Sequence, residues 1–588
     1  MLVAILICST MAVLTSCKEI CIMNKMKKWM LAAILICSAG IIVTACKGGK
    51  SAKETSEADE YKEMIRALYG ENKTIKASDY DQSLAVKCIN GTFVGKKTDG
   101  IIAFRGIPYV GKQPVGELRW KAPVDVTPND SVYEAYYNAK AAPQPEVELS
   151  SLYYQGEDCL YLNVWKAAQP EDNEVETTAE KKPVIVWIHG GAFAYGGTVD
   201  FLYDFHNFVE ENPDVIVVTV AYRLGVFGYL HLSHLPDGKD YPDAQNLGLM
   251  DQLMALKWVN ENIAGFGGDP DNVTIMGESA GGGSVTLLAL VEGSHQYFNK
   301  VISLSGTPSL SRSAEAAKAC TDDLMEALGC KTIADLQKLD AETLVSAATE
   351  VLPLSIAPER DGNLLPMDPW EAIANGATKD VTFLQGCNKD EMNFFLVGMG
   401  GPEPFIEWAT DREAKKLALL TDEEKVLVES YLKDVKGESW EQHTRLLGQL
   451  MFNAPCIRLS ENQTMAGGKS YTYYFTVESS VPMMKSAHGV ELAPFFKHPD
   501  LDKDTGRAFD ETFSKTVRKM FVQFAKTGNP SLSADISPDG KAKEWPLYDL
   551  EDKRVMVFDE FNIHPEKESQ RNIVDWEKTY FLSNYYSF

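Results

Sequence analysis

At 588 residues and 45% hydrophobic content, the chain can bury one very large core or several ordinary ones. Its 57 Lys and Arg against 83 Asp and Glu give a formal charge of −26, which argues against a nucleic-acid partner and describes a solvated acidic surface. The cysteines show no metal-ligand spacing, and Cys88, Cys159, Cys320, Cys330, Cys387 and Cys456 are too scattered for spacing to pair them.

The N-terminus is a different kind of sequence. In "MKKWMLAAILICSAGIIVTAC", Met26 to Cys46, a basic start (Lys27, Lys28) precedes an apolar run and small residues before a cysteine, the pattern of an export signal. Val43 to Cys46 also resembles a bacterial lipobox, in which the cysteine is lipidated and becomes the mature N-terminus. Cys46 is then an anchor that holds the protein to a membrane surface. An upstream copy repeats "AILICS" of residues 33–38 at 4–9 and ends in "LTSC", Leu14 to Cys17, without a basic start. It reads as a duplicated leader, with the working start at Met23 or Met26. Each apolar run is barely long enough to span a bilayer, which disfavours a transmembrane hairpin. The predicted organisation is a leader over 1–46, a polar tether over 47–78 and a single domain over 79–588, in which the acidic stretch Ala167 to Lys182 is a loop.

Within that domain, Val/Ile-rich runs recur at 183–188, 214–222, 272–277, 300–306, 380–386 and 470–475. Near-continuous apolar runs suit strands buried on both faces, and helical segments between them, such as Leu249 to Ile263, predict crossovers and a mostly parallel sheet. Reactive groups in such a sheet collect beyond the carboxyl ends of the strands.

Four segments carry chemistry at those ends. "WIHGGAFAYGG", Trp187 to Gly197, follows a strand and supplies backbone amides for an oxyanion, with Gly191 and Ala192 as donors. "VTIMGESAGGGSV", Val273 to Val285, sets Ser279 on a tight strand-to-helix turn, where Gly277 and Gly281 give clearance and Ala280 offers a third amide. A serine hydroxyl needs a base, and the base needs an orienting carboxylate. Of nine histidines, His488 in "SAHGVELAPFF" lies in a loop after a strand and is the chosen base, whereas His189 is assigned to shaping a turn. For the acid, "LQGCNKDEMNFF" offers both Asp390 and Glu391; Asp361 is a rival whose "DGN" setting reads as a turn. The order Ser, acid, His is that of the α/β-hydrolases.

These motifs, together with "FRGIPY" (Phe104 to Tyr109), "LRW" (Leu118 to Trp120), "EDCLYLNV" (Glu157 to Val164), "YRLGVFGYL" (Tyr222 to Leu230), "FAKTGNP" (Phe524 to Pro530) and "WPLY" (Trp545 to Tyr548), run in an order that resembles the type-B carboxylesterase family. That group includes cholinesterases, bacterial para-nitrobenzyl esterases and liver carboxylesterases. The resemblance implies an α/β-hydrolase fold with a large, mostly parallel central sheet flanked by helices. It implies a triad of Ser279, Glu391 and His488, choosing Glu391 over Asp390, and an oxyanion hole of Gly191, Ala192 and Ala280. Arg119 with Glu157, and Arg223 with Asp251, are implied internal ion pairs.

The chain also departs from the family. Cys159 of "EDCL" lacks the upstream cysteine that usually pairs with it, and "VELSSLYYQGEDC" lacks the tryptophan that cholinesterases set before that cysteine. Choline esters are therefore disfavoured, with Tyr153 and Tyr154 as substitute wall residues. Cys320 and Cys330 read as ten apart on one helix, too far for a bridge unless the helix breaks. The expected activity is hydrolysis of carboxylic esters through an acyl-enzyme, with no metal or cofactor and a small ester as partner. The alternatives are a non-catalytic adhesion protein of cholinesterase type, or a lipase or feruloyl-type esterase with the same chemistry. Export to the bacterial cell envelope goes with the lipobox.

Overall fold

The computed structural model describes residues 66–76, 79–146, 153–168, 180–352, 354–496 and 505–587. The leader, with Cys46, and the centre of the acidic stretch after Ala167 lie outside these residues. Eleven strands form the main sheet: β1 (Lys96–Thr98), β2 (Ile101–Pro108), β3 (Tyr161–Ala167), β4 (Lys182–Ile188), β5 (Ile216–Val220), β6 (Gly268–Glu278), β7 (Lys300–Leu304), β8 (Thr382–Asn388), β9 (Lys469–Phe475), β10 (Arg554–Asp559) and β11 (Asn562–Lys567). Their spatial order is β11-β10-β9-β8-β7-β6-β4-β5-β3-β2-β1. The six Val/Ile-rich runs are β4 to β9, and all of them pair in parallel, as does β10 with β9. Antiparallel strands close both edges, so the sheet is mixed at its margins and parallel at its centre.

Alternation along β4 shows why the middle of the sheet must be covered on both sides. Ile185 and Trp187 face one apolar cluster with Phe521 and Phe524, while Val184, Val186 and Ile188 face another with Trp258 and Val259. Helices supply those faces: α1 (Leu247–Asn262), α2 (Ala280–Leu288), α3 (Ala314–Leu328), α4 (Ser439–Gly448), α5 (Ala454–Met465) and α6 (Glu511–Thr527). A single π turn, Gln449–Asn453, joins α4 to α5.

Two expected ion pairs are present. Arg119 Nε donates to Glu157 Oε2 over 2.6 Å, and Arg223 grips Asp251 through Nε at 2.8 Å and Nη2 at 2.7 Å. Two other expectations need correction. Residues 66–76 do not behave as a tether: Tyr69 is buried, Thr74–Ile75 pairs with Val132 and Tyr133, and Asn72 Nδ2 donates to the carbonyls of Arg105 and Tyr137. One amide side chain thus ties this segment to the main body. Cys320 and Cys330 do not share a helix either, because α3 stops at Leu328 and Gly329 takes a left-handed φ of 65°. The six cysteines of the described residues are free thiols, Cys159 among them.

Strand order also locates the reactive centre. β5 lies on one side of β4 and β6 on the other, so the chain reverses direction across the sheet at β4, and a crevice opens beyond the strand ends. Beyond β4, β6, β8 and β9 lie the segments that carry Gly191, Ser279, Glu391 and His488.

Candidate active site

Ser279 stands alone between the end of β6 and the start of α2, with φ 57° and ψ −123°. An L-residue avoids this region, at a cost of about 1–3 kcal/mol that the surroundings must offset. They do so by bonding: Ser279 N donates to Leu304 O at 2.9 Å, and Gly283 N donates to Ser279 O at 2.8 Å. The turn is also crowded. A Cβ on Gly281 would stand 2.1 Å from Ile188 O, and one on Gly277 would stand 2.4 Å from the Gly281 carbonyl carbon, so both positions require glycine. Glu278 and Ala280 are buried, yet Ser279 between them keeps partial exposure.

The loop after β4 is equally unusual. Gly191, Ala192 and Phe193 have successive positive φ values of 103°, 53° and 58°. Consecutive left-handed residues turn their amides toward one side, as in an anion-binding nest. Among the described residues, the N–H groups of Gly191, Ala192 and Ala280 donate to no protein acceptor. Ala280 is buried and Gly191 and Ala192 are half-buried, so three amides without a protein acceptor on the two loops at the serine are available to negative charge. His189 shapes this loop, as expected: its Nδ1 lies 2.9 Å from Gly190 O and its ring stacks on Tyr222 at 4.5 Å. Burial pushes its pKa down to about 4, so the ring is neutral.

Beyond β8, Glu391 Oε2 lies 2.6 Å from His488 Nδ1. Its other oxygen accepts from Asn388 N at 2.7 Å and Ser305 Oγ at 2.8 Å, which leaves the carboxylate little freedom to turn. Asp390 points elsewhere, with Oδ1 3.2 Å from Arg445 Nη2. Asp361 caps a turn, accepting from Asn363 N and Leu365 N, and also bonds Gln245 and Asn246. Of the other histidines, His231 bonds Glu359, His234 bonds Asp322 and His443 bonds Glu413. The rings of Phe394, Phe395 and Phe452 surround His488 at centroid distances of 6.0, 6.0 and 4.8 Å.

Three residues of this site did not emerge from the sequence: Glu278 as a partner of the base, Ser305 and Glu491. Glu278 Oε1 is 3.0 Å from His488 Nε2, but the two are not aligned as a hydrogen bond, and neither atom has a hydrogen-bond partner among the described residues. Burial works against the His488 cation, but Glu278, Glu391 and Glu491 outweigh it and raise its pKa. Burial raises Glu278 as well; the His488 cation opposes that shift and Glu391 adds to it. Glu491 is raised by burial and by both other carboxylates. Ser305 Oγ also lies 3.2 Å from Glu491 Oε1 as a donor, so one hydroxyl bridges the Glu391 and Glu491 carboxyl groups. Glu491 sits three residues after His488, and that spacing was the available signal. Tyr153, expected to line the opening, instead buries its ring and holds Asp200 at 3.1 Å, whereas Tyr154 is exposed.

The Carboxylesterase family model matches residues 82–574. The para-nitrobenzyl esterase of Bacillus subtilis (strain 168) is 34% identical over 501 residues, covering 82% of this chain and 96% of that protein. The liver carboxylesterase of Sus scrofa is 31% identical over 508 residues, 78% of this chain and 85% of its own. Among solved structures, the Geobacillus stearothermophilus carboxylesterase EST55 at pH 6.2 superposes with a TM-score of 0.72 at 32% identity, covering 83% of this chain and 99% of that one.

Proposed function

The chain belongs to the carboxylesterase family and is a carboxylic ester hydrolase; on that premise we propose that it works through an acyl-enzyme, with Ser279 as nucleophile, His488 as general base and Glu391 as the carboxylate that orients the base. His488 Nε2 turns from Glu278 to take the Ser279 proton as Oγ attacks the ester carbonyl. The amides of Gly191, Ala192 and Ala280 receive the charge that develops on the carbonyl oxygen. His488 then protonates the departing alcohol and activates the water that frees the acid. Glu391 holds Nδ1–H throughout, so that Nε2 is the nitrogen that exchanges protons. The chemistry is complete with these side chains and requires no metal or cofactor.

The observation that carries this reading is the 2.6 Å contact of Glu391 with His488 beside a serine held at φ 57°. A fluorophosphonate probe tests it on the wild-type protein and on Ser279→Ala. Covalent labelling of the first and none of the second is expected; labelling that survives the substitution would remove Ser279 from the role. Given the para-nitrobenzyl esterase among its relatives, short-chain aryl and benzyl esters are the substrates to try first, against feruloyl esters and long-chain emulsions. We also infer export to the bacterial cell envelope with a lipid on Cys46. The mass of the mature N-terminus checks this, and an unmodified chain beginning elsewhere would end the idea.

A further inference from the structure

The loops that carry Glu391 and His488 are laced together by hydrogen bonds to backbone carbonyls. Asp390 N donates to Ser486 O at 2.9 Å, His488 N to Glu391 O at 3.2 Å, and Asn388 Nδ2 to Ala487 O at 2.7 Å. On their outer side both loops meet one helix. Arg445 of α4 pairs with Asp390 at 3.2 Å, and Glu441 of α4 pairs with Lys485 at 3.2 Å. Glu441 and Arg445 are one turn apart, so they share a face of α4. The result is a row of alternating charge, Lys485, Glu441, Arg445, Asp390, that runs from the base loop to the acid loop. The same helix leads into the π turn whose Phe452 ring lies 4.8 Å from that of His488.

We propose that Arg445 and Glu441 are positioning residues for the hydrolytic reaction: by fixing Asp390 and Lys485 on one face of α4, they set the distance between Glu391 and His488. The assignment rests on reading Glu391 and His488 as acid and base. Two facts give it weight beyond a surface ion pair. The Asp390 side chain is 2% exposed, its Oδ2 has no hydrogen-bond partner among the described residues, and the other cation near it, Lys389, is 3.9 Å away. A buried carboxylate whose partner is removed must move toward water or draw water in, and here it would carry the adjacent Glu391 with it. The base loop is itself held in an unfavourable form, with Met483 at φ 65° and Lys485 at φ 53°, so it needs an external tie to stay there. The Glu441–Lys485 pair is partly exposed and contributes little to stability. A displacement on the order of 1 Å at the reacting groups costs up to about 100-fold in rate. Loss of the row therefore falls on catalysis before it falls on folding.

The test compares wild type with Arg445→Met, Arg445→Lys and Glu441→Gln, recording kcat and KM on a para-nitrophenyl ester, the rate of fluorophosphonate inactivation, and Tm. Arg445→Met and Glu441→Gln are expected to lower kcat and the inactivation rate about tenfold with KM little changed. Arg445→Lys should recover most of that loss, because it keeps the charge opposite Asp390. Glu441→Gln should leave Tm almost unaltered, so it remains informative if Arg445→Met folds poorly. An unchanged kcat in Glu441→Gln and in folded Arg445→Met would overturn the proposal, as would an Arg445→Lys no better than Arg445→Met. A wild-type protein that fails to react with the probe would instead overturn the reading of Ser279, His488 and Glu391.

Discussion

At the scale of the residue, Glu278 governs the state in which His488 waits for substrate. Its carboxylate lies 3.0 Å from Nε2, the nitrogen that accepts the Ser279 proton in the proposed mechanism, and it is one of three buried carboxylates, with Glu391 and Glu491, that hold the imidazole pKa up against the effect of burial. A base with a raised pKa is protonated, hence idle, until the pH passes the raised value. The rising limb of kcat/KM against pH should accordingly lie above the ordinary imidazole range near 6.5. Glu278→Gln removes one of the charges that favour the cation while keeping the volume, so His488 becomes neutral at lower pH and the limb moves down. A pH series on one neutral ester measures this. A limb that stays in place, or moves up, would show that Glu278 does not act on the base. The same substitution keeps the backbone that shapes the turn, so labelling by the fluorophosphonate probe should persist.

At the scale of the element, Asp251 in α1 fastens that helix to the segment after β5. Its oxygens take Arg223 Nε at 2.8 Å, Nη2 at 2.7 Å and the Arg223 backbone N at 3.1 Å, and the guanidinium also donates to Lys121 O at 2.7 Å. With both side chains almost wholly buried, Asp251→Ala leaves a cation with no compensating charge, and a loss of about 3–5 kcal/mol is expected in urea unfolding. Pairing it with Arg223→Met should return most of that loss; a double variant as unstable as the single would mean the pair matters through its backbone bonds. This pair was legible only through family resemblance, since Arg223 and Asp251 are far apart in the chain. β4 to β9 were legible from the sequence itself, because a strand covered on both faces is near-continuously apolar. The outer strands were not. β2 contains Arg105 and Gly106 at a break in register, and β11 reads "NIHPEK", an edge whose side chains mostly meet water. Within the site, Ser279 was legible because the crowded turn demands glycine on both sides. Asp390 and Glu391 could not be separated from local sequence, because adjacent side chains on a loop point apart, and only the position of His488 shows which of them contacts it.

At the scale of the whole molecule, the formal charge of −26 bears on which esters reach the site. A net charge of this size creates a field that repels anions and attracts cations over roughly the Debye length, which is about 10 Å at 0.1 M salt and about 30 Å at 0.01 M. At the end of that approach Glu278, Glu391 and Glu491 are buried around the His488 cation, so the repulsion of an anion comes from the outer surface. A neutral aryl ester experiences little of it, whereas an ester bearing a free carboxylate, such as the aryl monoester of a dicarboxylic acid, must climb it before binding. Long-range repulsion acts on encounter and so on kcat/KM, leaving kcat at saturation largely untouched. The expected outcome is a kcat/KM for the anionic ester that rises severalfold between about 0.01 M and 0.5 M salt, with the neutral isostere nearly flat and the two kcat values constant. Parallel salt responses for both esters would mean that the charge is spread too evenly to steer anything. A rise in kcat instead of kcat/KM would put the effect on the chemical groups rather than on the approach.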